Sequence, residues 1–225
     1  MKLVHPELSF CIDYDNTESL IKVCVIESPV RWRELQKEMI AQYTEGTGNW
    51  VLSEDDKELK FNKAVEMILN PLQLEENQRK IISVFLKSFA DKAVSEEHWR
   101  DGQELNSNIQ MFFAKLEMEY SFSYHIDPEV DFVALSKAMG LQIEADYTSD
   151  LDRLVQYCIM VKELLHPRLF VFWNLRSYFL EEEIEMFYEE VRRREWKVLL
   201  MERFLSQKLD GEKYYIIDKD NCEIY

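Results

Sequence analysis

Glycine, on which the common nucleotide-binding loops depend, is scarce, with five occurrences in 225 residues. A phosphate-binding loop of the GxxxxGK[ST] type needs two glycines five positions apart, and no pair has this spacing. The pattern GxGxxG begins at Gly46 and Gly48 but meets Val51. Without glycine, backbone amides cannot close around a phosphate in the usual way. The sequence therefore excludes nucleotide enzymes that carry these motifs, but not their degenerate relatives.

Cysteine and histidine are also few and scattered. The four cysteines are never closer than 13 positions and the four histidines are dispersed, which excludes CxxC, Cys/His zinc patterns and HExxH. A thin, scattered set of cysteines is typical of a reducing compartment. The start of the chain lacks the apolar stretch of a signal peptide, and no run approaches the roughly 18 apolar residues of a membrane-spanning helix. We therefore expect a soluble, cytoplasmic protein without a membrane partner.

Basic residues are outnumbered, with 27 Lys and Arg against 43 Asp and Glu and a formal net charge of −16. This balance argues against a simple binder of nucleic acid or anionic membrane, because both need a basic surface. A local arrangement of basic side chains is not excluded by the total. Hydrophobic residues at 47% predict a packed core rather than disorder.

The two ends of the chain have the pattern of an α/β fold. Apolar runs typical of buried strands occur at Ile21–Ile26, Leu169–Trp173 and Lys197–Met201. The last two flank a helical pattern that opens at Glu181, so they predict a βαβ unit with parallel pairing. Between about 75 and 164 the periodicity is helical throughout. We predict a discontinuous α/β head domain (1–74 and 165–225) with a long inserted α-helical leg domain (75–164).

One predicted helix of the insertion carries a regular apolar stripe. Its members recur at helical spacing: Leu105, Ile109, Phe112, Leu116 and Tyr120. Stripes of this kind usually pack against a core. We interpret this one in the same way.

Three blocks of the sequence carry a resemblance to a known family. They are Val25–Tyr43, Leu169–Tyr178 and the C-terminal segment Glu212–Tyr225. In these blocks the chain resembles the CRISPR-associated Csn-two family of subtype II-A systems, which takes part in spacer acquisition, the adaptation step of a bacterial antiviral defence. The likeness extends over essentially the whole chain and lies in patterned apolar blocks rather than in one motif.

The resemblance implies a specific function. Members have a P-loop-like head that has lost the nucleotide motif, and they form homotetrameric rings around double-stranded DNA, bound at ends and without sequence preference. Calcium ions in the helical legs hold the ring together. Members are not known for catalysis, and they act beside the spacer integrase complex and the RNA-guided effector nuclease. We therefore expect a non-catalytic, calcium-dependent DNA-binding protein.

An acidic segment offers oxygen ligands for the implied calcium. Residues 117–152 contain nine acids and one base, and calcium takes six to eight hard oxygens. No EF-hand is present, because its glycine and twelve-position frame are missing. A solvated acidic face is the alternative interpretation of the same residues. The predicted metal ligands are Glu117, Glu119, Asp127, Glu129, Asp131 and Glu144.

Phosphate contacts would come from lysine and arginine side chains. One set lies at roughly helical spacing in the first leg helix: Arg79, Lys80, Lys87 and Lys92. A second set surrounds a predicted hairpin: Lys57, Lys60 and Lys63. Arg176 follows a long apolar strand, and with Asn174 it lies where α/β folds place ligands. For each of these residues a solvated surface charge is the alternative.

Two other functions remain open at this level. Asp218 and Asp220 form a carboxylate pair that a metal-dependent nuclease or nucleotide hydrolase would use, although no Lys or His lies at a recognisable nuclease spacing. A solvated turn explains the same pair. The third possibility is a scaffold whose helical leg binds only protein.

Overall fold

A computed structural model describes residues 1–15, 19–76, 78–144, 146–205 and 207–225 of the chain. Within this part the fold is mixed α/β. The strands are β1 (Lys2–Val4), β2 (Ile12–Asp13), β3 (Ile21–Ile26), β4 (Val51–Glu54), β5 (Lys57–Glu58), β6 (Val65–Ile68), β7 (Leu169–Trp173), β8 (Val198–Glu202), β9 (Glu212–Ile217) and β10 (Glu223–Ile224). The α-helices are α1 (Pro29–Glu45), α2 (Phe61–Ala64), α3 (Arg79–Ala93), α4 (Trp99–Glu117), α5 (Phe132–Ala138), α6 (Asp150–Leu165) and α7 (Glu181–Arg193). None of the described helices is both long enough and apolar enough to cross a membrane.

The chain divides into two compact units. The α/β unit comprises Met1–Leu74 and Tyr147–Tyr225, and the helical unit comprises Glu75–Asp146. Both sheets, with α1, α2, α6 and α7, belong to the first unit, whereas α3, α4 and α5 belong to the second. The sequence analysis placed α6 in the insertion, but in the structure it belongs to the α/β unit.

The larger sheet has the strand order β10-β9-β3-β8-β7-β6. Five strands are parallel, and β10 is antiparallel to β9. Every residue of β3, β6, β7 and β8 is buried, as expected where helices cover both faces of a parallel sheet. The parallel pairing of β7 with β8 confirms the predicted βαβ unit. A second, antiparallel sheet has the order β2-β1-β4-β5.

Helix α1 covers one part of the core with Trp32, Leu35 and Met39. The ring of Trp32 meets that of Trp173 edge to face, with centroids 4.8 Å apart. Pro29 at the first helical turn starts α1 directly after β3, and Gly46 ends it at φ 78°, a left-handed conformation that glycine adopts without a Cβ clash.

Helix α6 covers another part of the core through five buried side chains: Leu151, Leu154, Tyr157, Cys158 and Val161. Tyr157 Oη donates to the buried Glu66 of β6 at 2.8 Å, and Tyr43 Oη of α1 donates to the other oxygen of that carboxylate at 3.0 Å. Two helices are thereby tied to one buried carboxylate on an edge strand, which explains why α6 belongs to this unit.

In the helical unit, α3 contacts both α4 and α5. Gly102 permits the close approach of α4 to the end of α3, because a Cβ at this position would lie 2.6 Å from the carbonyl oxygen of Ala93. Asp131 caps α5, since its side chain accepts from the backbone N–H groups of Val133 at 2.8 Å and Ala134 at 3.1 Å.

A buried charged cluster lies behind α7 in the α/β unit. The guanidinium of Arg176 pairs with Glu212, and both side chains are nearly inaccessible to solvent. Tyr188 Oη also donates to Glu212, at 2.5 Å. A second buried carboxylate, Glu202, accepts from the backbone N–H of Arg176 at 3.2 Å. Burial raises the pKa of Glu202 to about 7, and the contacts with Arg176 only partly offset this.

This cluster makes folding stability depend on pH. Because the pKa of Glu202 in the folded protein lies above its ordinary value of 4.5, the folded protein keeps the proton to a higher pH than the unfolded chain does. The contribution is complete below the ordinary pKa and is lost as pH rises through 7. We predict that the free energy of unfolding falls by about 3 kcal/mol over this range and that Glu202→Gln removes most of the fall.

Urea titrations followed by tryptophan fluorescence would measure this effect, since four of the five tryptophans are in the α/β unit. Glu185→Gln on the exposed side of α7 is the matched control and should leave the pH dependence as it is in the unmodified protein. Parallel stability curves for the unmodified protein and Glu202→Gln would contradict the prediction.

Candidate functional site

The acidic segment of the helical unit is held by two amide side chains of α4. Gln110 Nε2 donates to the carbonyl oxygen of Asp127 at 2.7 Å, and Asn106 Nδ2 donates to that of Pro128 at 3.2 Å. Asn106 Oδ1 also accepts from the backbone N–H of Val130 at 3.0 Å. The loop 127–130 is therefore fixed against the middle of α4, with its carboxylates on an ordered backbone.

The six predicted calcium ligands do not converge within one chain. Glu117 ends α4 seven residues after Gln110, about 10 Å farther along the helix axis. One Ca²⁺ needs all its oxygens at 2.3–2.6 Å. Among the described residues, no group of three or more His, Cys, Asp or Glu is placed to hold a metal ion.

The remaining predicted ligands have individual environments. Asp131 uses its carboxylate to cap α5. Asp127 lies 3.8 Å from His125, and both side chains are about nine-tenths exposed. Glu119, Glu129 and Glu144 are exposed. Calcium binding by these residues stays a prediction.

Helix α4 has no buried residue over its whole length. Phe112 is 59% exposed, Met111 54% and Leu105 43%. The interpretation of the stripe from Leu105 to Tyr120 as core packing is therefore wrong for the isolated chain. Periodicity identified which face of the helix is apolar, but the described residues cover that face only in part, since Ile109 and Leu116 are half-buried while Leu105 and Phe112 are exposed.

Further exposed aromatic side chains follow α4. Tyr120 and Phe122 are both more than half exposed, and their ring centroids lie 5.3 Å apart. Tyr124 Oη donates to the carbonyl oxygen of Phe113, which folds this segment back onto the helix. These aromatic rings lie in the acidic segment 117–152, which directly follows the apolar face of α4 in the sequence. We call Leu105, Ile109, Phe112 and Leu116, which lie on one side of the helix, the α4 face.

The basic residues predicted on α3 do not form one row. Lys80 and Lys87 are seven positions apart and lie on the same side of the helix, whereas Lys92 is rotated by roughly 120° from Lys80. Lys92 lines an apolar cavity with Phe89 and Leu105. Arg79 is exposed, like these three lysines. The structure therefore brings together Lys80 and Lys87, but not all four.

The second basic set lies in the α/β unit. Lys57, Lys60 and Lys63 are all exposed, and they span β5 and the start of α2. Arg176 is different, because its side chain is only 9% exposed and its guanidinium pairs with Glu212 and donates to the carbonyl oxygen of Gln207 at 2.8 Å. Its charge is satisfied inside the protein, which corrects its assignment as a phosphate contact.

The connection after the central strand β3 offers no phosphate loop. Only Glu27 and Ser28 separate β3 from α1. Arg203 Nη1 donates to the carbonyl oxygen of Ile26 at 3.0 Å and to that of Glu27. These contacts fill the position at the carboxyl end of β3 where nucleotide-binding α/β folds place a phosphate.

The carboxylate pair near the C-terminus forms a turn. Asp218 Oδ1 accepts from the backbone N–H of Asp220 at 2.9 Å and from that of Cys222 at 2.8 Å, and Asn221 has a positive φ of 63°. This geometry is an Asx turn. The structure gives the pair a local structural role and, within the described ranges, no third metal-binding side chain.

Sequence reasoning missed the two amides that hold the acidic loop. The only available signal was their spacing, since Asn106 and Gln110 lie four positions apart and so on one side of a helix. That spacing identifies a polar stripe but not the loop it contacts, which lies about twenty residues further along the chain.

Comparison with solved structures gives a weak likeness. The structure of a bacterial Atm1-family ABC exporter with ATP bound has a TM-score of 0.42 and 10% sequence identity to this chain. The match covers 89% of this chain and 33% of the exporter chain, so the chain spans about a third of that protein's length.

Comparison with protein families gives a match over most of the chain. The family described as CRISPR-associated protein (Cas_Csn2) matches residues 42–221, which is 180 of the 225 residues. The matched range includes the whole helical unit, β6 to β9 and the βαβ unit. The chain therefore belongs to the CRISPR-associated Csn2 family.

Proposed function

We propose that this protein is a non-catalytic, calcium-dependent binder of double-stranded DNA ends that acts in spacer acquisition. In this proposal four copies form a ring around the duplex, and the contacts are independent of sequence. The protein works in the cytoplasm beside the spacer integrase complex and the RNA-guided effector nuclease. The α/β unit serves as a degenerate P-loop-like head, and the helices inserted into it serve as a leg.

The uncovered α4 face is the observation that carries this proposal. A helix of 19 residues with no buried side chain and five large exposed apolar residues is costly to leave in water. A second copy of the same helix supplies a matching apolar surface. Assembly through the helical units therefore accounts for a face that the isolated chain leaves open.

Calcium fits the same interface for an electrostatic reason. The acidic segment 117–152 carries nine acids and one base, and it adjoins the α4 face in sequence. Two such segments repel each other when their apolar faces meet, and a divalent cation bound by carboxylates of both copies removes that repulsion. Ligands from two copies also complete a coordination shell that one chain does not assemble.

DNA binding by an acidic chain needs a local basic surface. A ring needs basic residues only on its inner wall, so the net charge of −16 does not oppose it. The exposed sets from the helical unit (Lys80 and Lys87, with Arg79) and from the α/β unit (Lys57, Lys60 and Lys63) are the candidates. Arg176 is left out because its charge is satisfied by Glu212.

In this proposal, assembly depends on Ca²⁺ and on the α4 face. In Ca²⁺ the particle mass should be four times the 27.1 kDa of one chain, and EDTA should lower it. The double variant Leu105→Ser/Phe112→Ser should stay dissociated in Ca²⁺, because it removes the apolar surface that the copies bury. Multi-angle light scattering measures both effects. Met139→Ser, an exposed apolar residue of the same unit, is the matched control. A mass unaffected by chelation would contradict the role of calcium.

In this proposal, DNA binding depends on the exposed lysines of α3. Lys80→Glu/Lys87→Glu should weaken binding of a linear duplex in Ca²⁺ by about tenfold or more and reduce the slope of log affinity against log salt by about two. Fluorescence anisotropy at several salt concentrations measures both quantities. Lys37→Glu on α1 is the control, since it makes the same charge change on another exposed surface.

Closed circular DNA provides the test of encirclement. A ring that loads at ends should retain linear duplex much better than closed circles of the same sequence. Equal retention would contradict encirclement, and an unchanged salt slope in the double variant would remove α3 from the DNA surface. Cleavage of the duplex in Mg²⁺ or Mn²⁺ would favour a nuclease that uses Asp218 and Asp220.

A further inference from the structure

A row of exposed apolar side chains lies at one edge of the parallel sheet of the α/β unit. Four strands that are neighbours in the sheet, β3, β8, β7 and β6, are each followed by at least one such residue within a few positions of its carboxyl end. We call this row the carboxyl rim. Its members are Val30, Phe204, Leu205, Tyr178, Leu180 and Leu69, which are between 40% and 70% exposed.

The chemistry of the carboxyl rim differs from that of a small-molecule site. The carboxyl edge is where open α/β sheets bind ligands, usually through loops rich in glycine and polar groups. Here Arg203 is held by the carbonyl oxygens of Ile26 and Glu27, and its guanidinium lies 5.2 Å from the ring centroid of Phe204. Exposed apolar side chains after four neighbouring strands are typical of a surface that binds another protein.

A cavity lies beside the carboxyl rim, among residues that follow β7 and β8 in the sequence. Its volume is about 150 Å³, and it is lined by Phe179, Ile184, Leu209, Arg176, Gln207 and Glu181. Because the guanidinium of Arg176 is already paired with Glu212, the cavity does not require an anion. Its size and its three apolar walls suit one large aliphatic or aromatic side chain, the usual anchor of a protein interface.

The spacing of the carboxyl rim matches that of an amphipathic helix. Neighbouring strands lie about 4.8 Å apart, so the four rim positions span about 14 Å. Successive turns of an α-helix repeat every 5.4 Å, so about three turns place one apolar side chain near each strand end.

The charged residues beside the carboxyl rim indicate which charge a partner carries. Leu180 is followed directly by the acidic first turn of α7, in which Glu181 and Glu182 are exposed, and Glu185 is exposed one turn later. No basic residue occurs between Arg176 and Arg192. On the Leu180 side of the carboxyl rim this acidic flank complements lysine or arginine of a partner, whereas the charge beside Phe204 is that of Arg203.

We propose that the carboxyl rim binds a basic amphipathic helix of another protein, with one large apolar side chain of that helix in the cavity. This inference goes beyond the proposed function, because it involves neither DNA nor the helical unit.

A synthetic helix of about 14 residues tests the proposal. The probe has leucine at i, i+3, i+4 and i+7 spacing and lysine elsewhere, and a second peptide has glutamate in place of lysine. In fluorescence anisotropy with the full chain, the lysine peptide should bind, and Leu180→Ser/Phe204→Ser should weaken it by about tenfold. The glutamate peptide should bind much more weakly than the lysine peptide.

Two controls make the result specific. Leu105→Ser/Phe112→Ser removes apolar side chains of the α4 face, which also adjoins acidic residues, and should leave peptide binding unchanged. Val4→Ser removes an exposed apolar residue of the second, antiparallel sheet and should do the same. Equal affinity in the rim variant and in these controls, or loss of binding only in the α4 variant, would overturn the proposal.

The position of the anchor can be checked directly. A photoreactive leucine at the centre of the lysine peptide should crosslink to 179–184 or 207–209, the segments that line the cavity. Crosslinks confined to other parts of the chain would overturn the proposal. A rim variant that changes the mass of the particle but not peptide affinity would show instead that this edge joins copies of the chain.

Discussion

Burial of the central strands on both faces is the constraint from which the α/β unit follows. Because every residue of β3, β7 and β8 is buried, helices must cover both sides of the sheet, and polar groups on these strands must find partners inside the protein. Helix α6, which follows the helical unit in the sequence, covers part of this core. The buried Glu66 links it to α1, because it accepts hydrogen bonds from a tyrosine of each helix. The Arg176–Glu212 pair satisfies the charges that remain behind α7.

In the helical unit, by contrast, the longest helix has no buried side chain, while hydrogen bonds from Asn106 and Gln110 fix the neighbouring acidic loop. Hydrogen bonds to a loop set the direction of a backbone but bury little apolar area. The local structure of this unit is therefore specified within the chain, whereas Leu105 and Phe112 of the α4 face stay exposed.

Sequence reasoning succeeded where the signal was local. The strands Ile21–Ile26 and Leu169–Trp173 are apolar without alternation, and the structure has strands with the same bounds. The acidic start and basic end of α7 also follow from a local effect, the helix dipole. The match over residues 42–221 agrees with the family that patterned apolar blocks indicated.

The same reasoning failed where the partner is distant in the sequence. Arg176 was assigned to DNA because it follows a strand, but its partner Glu212 lies 36 residues further on. Helix α6 and α4 have similar periodicity, yet α6 has five buried side chains and α4 has none. Periodicity reports which side of a helix is apolar, and only tertiary structure reports what that side contacts.

The acidic excess of the chain takes on a different meaning once the surfaces are known. Carboxylates border both uncovered apolar surfaces, the α4 face and the carboxyl rim. Apolar attraction has no preferred partner, but an acidic border makes contact between two like surfaces unfavourable unless positive charge is supplied. In the two proposals above, a divalent cation supplies it where two copies meet, and basic side chains supply it where a different protein binds. The net charge of −16 therefore makes contact between two copies unfavourable without added positive charge, while both apolar surfaces stay exposed.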